Sequence, residues 1–418
     1  MSGVRLAIVL SHPSQHQAPL VDALAATPSL VVRALYATDH GVRPGVDREF
    51  ATTFAWDVDL LGGHDHVVLR PGLDPGDFGF RAVDAPSLGA ELDRFRPDVV
   101  WVHGYAQRLA WRAWWWAIGR AATLYHGDSE PLRPRPLGLR IAKQAVLRPF
   151  FAGCDAVMCL GARNQAYYRA HGVAASRLFH MPPPVDRARL GAAIASARAE
   201  GRVALRRRLG LPAEAVVALF AAKLVAHKRP LDLVAALSRL GARAPHLAVA
   251  GEGPLGAALA EAVAAVGLDQ RVHRLGFVNQ SRMPELLAAS DLLVLPSAAD
   301  AYPLIVVEAL QAGLPLVVSD RVGCVGPTDA ARPDVNALVY PAGDVVALAA
   351  ALGTLTEQPD RRATMAAEST AIAPRHDAGV AARAVCGALR AVGRRRGAPW
   401  LHALAATEDE EDRPCATW

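Results

Sequence analysis

The sequence predicts an α/β protein built from two doubly wound parallel-sheet domains. Both halves of the chain alternate short apolar runs with longer amphipathic segments, a pattern typical of a parallel sheet covered by helices on both faces. The chain has 418 residues, which is more than one ordinary domain contains and suits two domains of roughly 200 residues each. Hydrophobic residues make up 52% of the chain and charged residues 20%, which excludes a disordered protein.

The predicted strands are the short apolar runs. In the first half they cover residues 4–10, 30–36, 98–102, 121–125 and 156–160. In the second half they cover residues 216–221, 247–250, 271–275, 292–295 and 316–319. Helices are expected between most of these runs, and one long helix is expected over residues 188–209.

Three successive prolines mark the expected domain boundary. Pro182, Pro183 and Pro184 stop any helix and stiffen a linker. We therefore expect an amino-terminal domain over residues 1–184 and a carboxy-terminal domain over residues 185–375. A last helix over 376–396 is expected to pack back toward the first domain. The tail, 397–418, carries the acidic run 408–412 and is predicted to be disordered, because such runs repel themselves and bury nothing.

The net charge of +5 comes mostly from arginine, and the basic residues cluster at 133–148 and 202–208. Such clusters are either solvated helix faces or surfaces for phosphates or anionic lipid. No nucleic-acid-binding motif accompanies them, so we expect no nucleic-acid partner.

Cysteine usage and hydropathy indicate the compartment. The five cysteines are scattered, without a C-x-x-C pair or histidines at metal spacing, which predicts a reducing compartment and no structural zinc. The amino terminus does not resemble a signal peptide, and no uncharged apolar stretch reaches the roughly 18 residues of a spanning helix. We expect a cytoplasmic protein, with the inner membrane surface as an open alternative.

Residues 291–320 are the most informative stretch and read as strand, loop, helix and strand. Pro303 lies where a first-turn proline is tolerated, and Gly313 followed by Pro315 ends the helix. The helix therefore begins at the carboxyl end of a buried parallel strand, where open α/β sheets bind ligands. Its free N–H groups, near Leu304 and Ile305, are candidates for holding a diphosphate.

Charged and glycine-rich positions surround this helix. Asp300 precedes it and Glu308 lies inside it, so each carboxylate can accept hydrogen bonds from sugar or ribose hydroxyls. Lys223 and Lys228 flank a loop after the first strand of the same half and can neutralise charge that grows on a leaving diphosphate. The turn from Gly251 through Gly253 to Pro254 allows a close approach of the main chain, although such turns are common.

In combination these residues resemble the group 1, family 4 glycosyltransferases. Their E-x7-E motif matches DAYPLIVVE, from Asp300 to Glu308, and their basic pair matches Lys223 and Lys228. Their G-x-G-P turn matches residues 251–254. Further matches are the Gly-Phe pair at Gly276-Phe277 and, imperfectly, the Asn-Gly turn at Asn336-Ala337. The similarity covers residues 203–345 well.

The resemblance implies a GT-B fold, in which two Rossmann-like domains face a cleft, and a retaining glycosyltransferase of EC class 2.4. It implies that Lys223 and Lys228 grip the diphosphate of a nucleotide-sugar donor and that Glu308 binds the ribose. It also implies that Asp300 contacts the transferred sugar and that Phe277 borders the base. Two departures are an aspartate at 300 where the family has glutamate, and a lysine at 223 where it generally has arginine. No cofactor or metal is implied.

The amino-terminal half departs from the family pattern, because its first loop, residues 11–19, has no glycine. This loop resembles a subgroup of bacterial surface-polysaccharide and natural-product transferases that begin with His-Pro. His12 and His16 are candidates for acceptor contacts or simply polar surface. His126 matches in position the family's cleft histidine beside the transferred sugar, and His103 is a weaker acceptor-side candidate. The acceptor is expected to be a saccharide, a lipid-linked molecule or a small molecule.

Two other features of the first half have competing interpretations. The D-x-D pattern Asp57-Val-Asp59 resembles the metal motif of the other large glycosyltransferase fold, but that fold needs one domain and we reject a metal site here. Four tryptophans crowd one helix: Trp111, Trp114, Trp115 and Trp116. They predict either core packing with one exposed ring or a membrane-interface anchor beside the basic segment 133–148.

Two rivals to transfer stay open at this point. A nucleotide-sugar epimerase has the same fold, although the paired lysines with the Asp300–Glu308 motif favour transfer. The departures at Lys223 and Asp300 and the missing glycine loop also allow a non-catalytic partner of another enzyme.

Overall fold

The computed structural model describes residues 3–47, 52–76, 78–132 and 136–404. The chain divides into two compact units. The amino-terminal unit comprises Met1–Gly45, Thr53–Pro184 and Asp377–Trp418, and the carboxy-terminal unit comprises Val46–Thr52 and Val185–His376. The acidic run 408–412, Cys415 and the first residues of the basic segment, 133–135, lie outside the described residues.

The described strands of the amino-terminal half are β1 Val4–Leu10, β2 Leu30–Tyr36, β3 Gly45–Asp47, β4 Thr52–Phe54, β5 His66–Val68, β6 Val99–His103, β7 Ala122–His126, β8 Ala156–Cys159 and β9 Leu178–His180. Those that follow are β10 Val217–Ala221, β11 His246–Ala250, β12 Val272–Gly276, β13 Leu292–Leu295, β14 Leu316–Ser319 and β15 Ala337–Tyr340. All ten predicted strands are confirmed, each within one residue at either end.

Strands of both units form parallel sheets. One sheet has seven strands in the order β5-β2-β1-β6-β7-β8-β9, and the other has six in the order β12-β11-β10-β13-β14-β15. The strand order reverses between β1 and β6 in the first sheet and between β10 and β13 in the second. Ligands of open α/β sheets bind at the carboxyl ends of strands beside such reversals.

The α-helices in the described part of the chain are α1 Ala18–Ala25, α2 Leu88–Phe95, α3 Arg108–Ala117, α4 Leu137–Ala152, α5 Ala162–Ala170, α6 Arg187–Ala199 and α7 Arg202–Arg208. They continue with α8 Pro230–Leu240, α9 Gly256–Ala265, α10 Met283–Ala289, α11 Leu304–Gln311, α12 Val345–Glu357, α13 Pro359–Ile372 and α14 Ala378–Arg396. Short 3-10 turns include Ala226–Lys228 and Ala373–His376.

Two helix predictions need correction. The single helix over residues 188–209 is wrong, because Gly201 adopts a φ of +89° and separates α6 from α7. Glycine has no Cβ and adopts this left-handed conformation without strain, so it ends one helix easily. The last helix begins at Ala378, two residues later than predicted, where the Asp377 side chain accepts a hydrogen bond from the Gly379 N–H at 2.8 Å.

Each unit has its own apolar core. The carboxy-terminal sheet and its helices bury one large cluster that includes Phe220 and Leu293. The amino-terminal sheet carries a cluster on each face. One of these includes Val385 and Leu389 of α14 together with Leu24 of α1. The last helix is therefore part of the amino-terminal core. The predicted disorder of the tail is wrong for its first residues, because Pro399–Leu404 form a 3-10 turn and Leu404 is buried in the same cluster.

Candidate active site

The loop after β10 carries Lys223 and Lys228 to the point where the strand order of the carboxy-terminal sheet reverses. The 3-10 turn Ala226–Lys228 directs the Lys228 side chain toward the loop after β13, where its Nζ forms an ion pair with Asp300 Oδ2. The Lys228 and Asp300 side chains are only 18% and 12% exposed. The two sequence-predicted residues are thus in direct contact, and Lys223 lies in the same loop.

Main-chain hydrogen bonds fix the Asp300 loop. The Asp300 N–H donates to the Arg321 carbonyl at 3.2 Å, and the Gly323 N–H donates to the Asp300 carbonyl at 2.7 Å. A Cβ on Gly323 would lie 1.7 Å from the Ala301 carbonyl oxygen, so only glycine permits this approach. The Ala298 N–H donates to the His227 carbonyl at 2.7 Å and joins the loop to the lysine loop. Asp300 is therefore held in place independently of a ligand.

Helix α11 begins directly after the Asp300 loop. Pro303 is its N-cap residue with a φ of −71°, one position before the first turn that the sequence predicted. Within the described part of the chain, the Leu304 and Ile305 N–H groups donate to no protein acceptor. First-turn amides of this kind bind anions, because they are unpaired and the helix dipole is positive there. Both amides are thus available to a diphosphate.

Glu308 lies one turn further along α11 and is buried, with 7% of its surface exposed. Burial raises the pKa of Glu308 to about 7, and the positive charge of Arg189 offsets a part of this rise. A buried carboxylate without a hydrogen-bond donor is strongly disfavoured, and hydroxyl donors on a ligand would stabilise its charged form. The site therefore favours a hydroxyl-bearing ligand at Glu308.

Gly251 and Gly253 support the lysine loop. Their φ angles are +155° and +153°, and a Cβ on Gly251 would lie 2.0 Å from the Ala222 carbonyl oxygen. A Cβ on Gly253 would lie 2.7 Å from the Leu224 carbonyl oxygen. The Leu224 N–H donates to the Glu252 carbonyl at 2.9 Å. The sequence predicted that the main chain of this turn approaches another group closely. In the structure that group is the main chain of Ala222 and Leu224.

The sequence also predicted two smaller features, the Gly276-Phe277 pair and the turn at Asn336. The Gly276 carbonyl accepts a hydrogen bond from the Gly251 N–H at 2.8 Å, so Phe277, which is half-buried, begins a loop beside the glycine turn. Asn336 is fully buried and its side chain bonds the main chain at Arg332 and Ala330. Asn336 therefore closes a local turn.

His103 and His126 are register partners at the carboxyl ends of β6 and β7. Their ring centroids are 5.1 Å apart, and His126 Nδ1 lies 3.3 Å from the Met158 carbonyl. Burial lowers the pKa of both rings, for His103 well below its usual value. His103 Nε2 has no hydrogen-bond partner among the residues that the structure describes. Burial therefore favours the neutral form of both imidazoles.

His12 and His16 follow β1, at the other side of the reversal in the amino-terminal sheet. The Ser11 hydroxyl lies 2.9 Å from His12 Nδ1, and the His12 ring packs 4.8 Å from that of Phe78. Burial lowers the pKa of His12 to about 4 and that of His16 to about 3. His40, whose ring centroid lies 5.6 Å from that of His12, joins this group. Sequence reasoning missed His40, although its place just after β2 was a usable signal.

The D-x-D pattern forms a turn. Asp59 Oδ1 accepts hydrogen bonds from the Leu61 and Gly62 N–H groups at 3.0 and 2.9 Å, and these bonds lower the pKa of Asp59. The described residues contain no group of three or more side chains arranged to hold a metal ion.

The tryptophan helix, α3, packs as core with one exposed ring. Trp114 is 9% exposed, Trp115 is 72% exposed, and Trp111 and Trp116 are half-buried. Trp111 Nε1 donates to a main-chain carbonyl and Trp116 Nε1 to the Asp93 carboxylate, each at 2.9 Å. The core interpretation is confirmed.

Sequence models of two families match the chain. "Glycosyl transferases group 1" matches residues 202–371 and "Glycosyltransferase Family 4" matches residues 34–189. A D-inositol 3-phosphate glycosyltransferase of Xylanimonas cellulosilytica is 31% identical over 334 residues, which are 74% of this chain and 77% of that protein. A 2-deoxystreptamine N-acetyl-D-glucosaminyltransferase of Streptomyces fradiae is 34% identical over 202 residues, which are 46% of each protein.

Solved structures share the fold. Sucrose-phosphate synthase of Thermosynechococcus elongatus superposes with a TM-score of 0.68 at 16% identity, covering 94% of this chain and all of that one. Anabaena HepE in complex with UDP superposes with a TM-score of 0.68 at 20% identity, covering 92% and 99%. HepE has also been solved with UDP-glucose. No helix in the described ranges has the length and apolarity needed to cross a bilayer. The chain belongs to the group 1, family 4 glycosyltransferases and has their GT-B fold.

Proposed function

We propose that this glycosyltransferase moves a sugar from a nucleotide-diphosphate donor to an acceptor hydroxyl with retention of anomeric configuration. The observation that carries the proposal is the contact between Lys228 and Asp300 beside the unpaired first-turn amides of α11. A cation and two amides suit the diphosphate, while a carboxylate suits the hydroxyls of the sugar. All of these groups belong to one unit.

In this proposal the protein acts mainly on the leaving group. Negative charge grows on the diphosphate as its bond to the anomeric carbon breaks, and Lys223, Lys228 and the α11 amides stabilise that charge. Donor binding draws Lys228 partly away from Asp300, whose carboxylate then accepts hydrogen bonds from sugar hydroxyls. Glu308 receives the ribose hydroxyls.

Retention follows if the diphosphate itself acts as the base. The acceptor oxygen forms its bond to the anomeric carbon on the face from which the diphosphate departs, and the acceptor proton passes to a phosphate oxygen. The step then needs neither an enzyme nucleophile nor a metal ion. We assign His126 a contact with the transferred sugar, and we assign His12, His16 and His103 to the acceptor side.

The names of the similar proteins suggest which donor and acceptor to test first. HepE binds UDP and UDP-glucose, so we propose a uridine diphosphate sugar as the donor. The names of two relatives contain D-inositol 3-phosphate and 2-deoxystreptamine, both substituted cyclohexanes with several hydroxyls. We therefore propose a cyclitol or a related polyhydroxylated small molecule as the acceptor, ahead of a saccharide.

Calorimetry with UDP and slow hydrolysis of UDP-sugars by the purified protein test the donor proposal. Lys228→Ala and Glu308→Ala should each abolish binding or hydrolysis, whereas Arg243→Ala should not. Arg243 is a matched control because it forms an exposed ion pair with Glu357 in the same unit. The anomeric coupling of the product in NMR spectra tests retention, and activity in EDTA tests metal independence. An inverted product or a metal requirement would contradict the mechanism.

The two rivals make different predictions. An epimerase interconverts free nucleotide sugars without an acceptor, and this would appear in the same spectra. A non-catalytic partner binds no member of a full donor panel and shows no hydrolysis.

A second proposal, contact with an anionic membrane surface, is favoured by helix α4. Leu137, Leu139, Ile141 and Val146 are 55% to 67% exposed on this helix. Arg140 and Arg148 are also exposed, and residues 136–152 include no aspartate or glutamate. Exposed apolar side chains interleaved with cations suit the boundary between anionic headgroups and acyl chains. The protein would then act at the cytoplasmic face of the inner membrane.

The proposed surface is the first part of α4, whose last turn packs Phe150 against Trp111 and Trp114 at ring-centroid distances of 4.7 and 5.2 Å. Parallel strands leave their carboxyl ends at one edge of the sheet, so α4 begins at the edge where β7 ends with His126. Helix α3 begins at that same edge after β6, and Trp115, near its end, lies toward the opposite edge.

Co-sedimentation with phosphatidylglycerol vesicles at low salt tests the membrane proposal, with phosphatidylcholine vesicles as the uncharged comparison. Leu139→Glu and Ile141→Glu should reduce binding, whereas Val346→Glu should not, because Val346 is equally exposed (57%) on α12 of the other unit. Absence of binding, or equal binding by all variants, would refute the contact.

A further inference from the structure

Arg229, the residue after Lys228, has an unusual main-chain conformation. Its φ and ψ are +52° and +46°, in the left-handed region. The other non-glycine residues with positive φ in the described ranges are Phe78, Arg96 and Asp334. Side chains with a Cβ disfavour this region because of a clash with the following carbonyl. Pro230 follows directly and restricts Arg229 further.

The Arg229 side chain is held by a two-bond clamp. Its Nε donates to Asp232 Oδ2 at 2.6 Å and its Nη2 donates to Asp232 Oδ1 at 3.1 Å. Asp232 belongs to the first turn of α8, and its side chain is 16% exposed. Paired bonds from a planar guanidinium to a carboxylate fix both groups in orientation as well as distance.

The surrounding main chain confines the guanidinium on another side. Gly343 has a φ of +89°, and a Cβ at this position would lie 3.3 Å from Arg229 Nη2. Strained main-chain conformations persist where the surroundings determine them, and they concentrate at functional sites. The clamp with Asp232 is the contact that offsets the strain at Arg229.

The main-chain conformation of Arg229 determines the direction of the Lys228 side chain. The Lys228 N–H donates to the Val225 carbonyl at 3.0 Å and the Arg229 N–H to the Ala226 carbonyl at 3.2 Å. The chain therefore ends the 3-10 turn at Lys228, reverses its hand at Arg229 and starts α8 at Pro230. With Arg229 in an extended or right-handed conformation, the turn would enter α8 at a different angle and the Lys228 stem would point elsewhere.

We propose that Arg229 is a positioning residue whose left-handed main chain, locked by Asp232, aims Lys228 at Asp300 and at the donor diphosphate. The role toward the diphosphate rests on the proposed function, whereas the role toward Asp300 does not. Arginine at this position thus acts through its neighbour and needs no contact with the donor.

Lysine footprinting tests the proposal without a substrate. The chain has only three lysines, Lys143, Lys223 and Lys228, so acetylation at low extent followed by mass spectrometry resolves each one. Lys143 lies against the rings of Tyr105 and Tyr167 in the other unit and is the internal reference. Asp300→Asn, which removes the partner of Lys228, is the positive control and should raise the Lys228 rate relative to Lys143.

The expected results separate main-chain conformation from side-chain identity. Arg229→Ala loses the clamp and keeps the strain, so Lys228 acetylation should rise about fivefold or more. Arg229→Gly loses the clamp but adopts positive φ without strain, so its Lys228 rate should stay within about twofold of the parent. Asp232→Asn alone should raise the Lys228 acetylation rate. Adding Asp232→Asn to Arg229→Gly should leave the rate of that variant unchanged.

The binding of UDP should follow the same order, with weaker binding in Arg229→Ala and recovery in Arg229→Gly. Equal Lys228 acetylation rates in Arg229→Ala and in the parent would overturn the proposal. A rise of the same size in Arg229→Ala and in Arg229→Gly would overturn it as well. If Arg229→Ala does not fold, Asp232→Asn carries the same test. A parent protein that binds no nucleotide would refute the donor proposal and leave the footprinting result valid.

Discussion

Lys228 and Asp300 join the two loops between which the strand order of the carboxy-terminal sheet reverses. A donor therefore meets a cation that is already bonded to a carboxylate. The carboxylate holds the lysine side chain in place and, at the same time, competes with the diphosphate for it. Removing the charge of Asp300 should separate these two effects.

Asp300→Asn should tighten the binding of UDP and slow transfer from the complete donor. Loss of a nearby negative charge favours the diphosphate, so the Kd for UDP should fall about threefold or more. Loss of the carboxylate from the sugar should lower kcat by about 100-fold. Calorimetry and steady-state kinetics measure the two effects, and Glu357→Gln, in the exposed pair with Arg243, is the control. Weaker UDP binding in Asp300→Asn would show that Asp300 mainly orders Lys228.

Glu308 should make stability depend on pH in a defined window. Its folded pKa of about 7 exceeds the usual value of about 4.3, so the unfolded chain loses this proton first as pH rises. The carboxyl therefore destabilises the fold progressively from about pH 4.5 to pH 7, by up to about 3 kcal/mol. Urea unfolding of Glu308→Gln should show a gain over the parent at pH 8 and no gain at pH 4.5. A gain of the same size at both pH values would exclude this titration as the cause.

Donor binding should release a proton near neutral pH if ribose hydroxyls stabilise the ionised form of Glu308. The affinity for UDP should then rise as pH increases from 6 to 8. Calorimetry in buffers of different ionisation enthalpy counts the proton, and Glu308→Gln should show none. Proton release that persists in the variant would have to come from another group.

Gly251→Ala should disrupt the lysine loop because its Cβ would lie 2.0 Å from the Ala222 carbonyl oxygen. We expect a loss of at least about 3 kcal/mol in the free energy of unfolding. Gly210→Ala is the matched control, since Gly210 has a φ of +69° but no neighbour within 4 Å, and its loss should be about 1 kcal/mol. Circular dichroism in urea measures both. Similar losses would mean that the carbonyl moves aside easily.

The histidines after β1 should make the amino-terminal unit sensitive to acid. The folded pKa values of His12 and His16, about 4 and 3, lie below the unfolded value of about 6.5. The unfolded chain binds more protons below pH 6.5, so stability should fall as pH drops toward 4. The seven tryptophans among the described residues all lie in the amino-terminal unit, so tryptophan fluorescence in urea reports on this unit. The double variant His12→Asn, His16→Asn should flatten the profile; an unchanged slope would refute the assignment.

The buried strands were predictable because both of their faces are covered, which produces unbroken apolar runs such as residues 292–295. The five missed strands have only three or four residues each: β5, β9 and β15 lie at sheet edges, and β3 and β4 form a separate two-stranded sheet. β5 and β15 are only partly buried, whereas every residue of β13 is buried, so their sequences give a weaker apolar signal. The residues brought together at the reversal, Lys228 and Asp300, were predictable because loops after neighbouring parallel strands meet at one edge.

Other features depend on contacts that sequence spacing does not encode. The left-handed conformation of Arg229 follows from its clamp to Asp232 and its packing on Gly343, and an arginine gives no local sign of it. The helix break at position 201 coincides with a glycine. Glycine also occurs inside helices, however, so the residue alone does not predict the break between α6 and α7. The approach of Gly251 to Ala222 depends on the pairing of β10 with β11, which places the two loops side by side.

The position of α14 in the chain constrains how the protein folds during synthesis. This helix is made after the whole carboxy-terminal unit, yet its Val385 and Leu389 belong to the same apolar cluster as Leu24 of α1. The carboxy-terminal unit is continuous apart from Val46–Thr52 and can complete its core while translation continues. The amino-terminal unit therefore completes its core only after α14 has left the ribosome. Until then its apolar cluster lacks the side chains of α14 and exposes the kind of surface that chaperones bind.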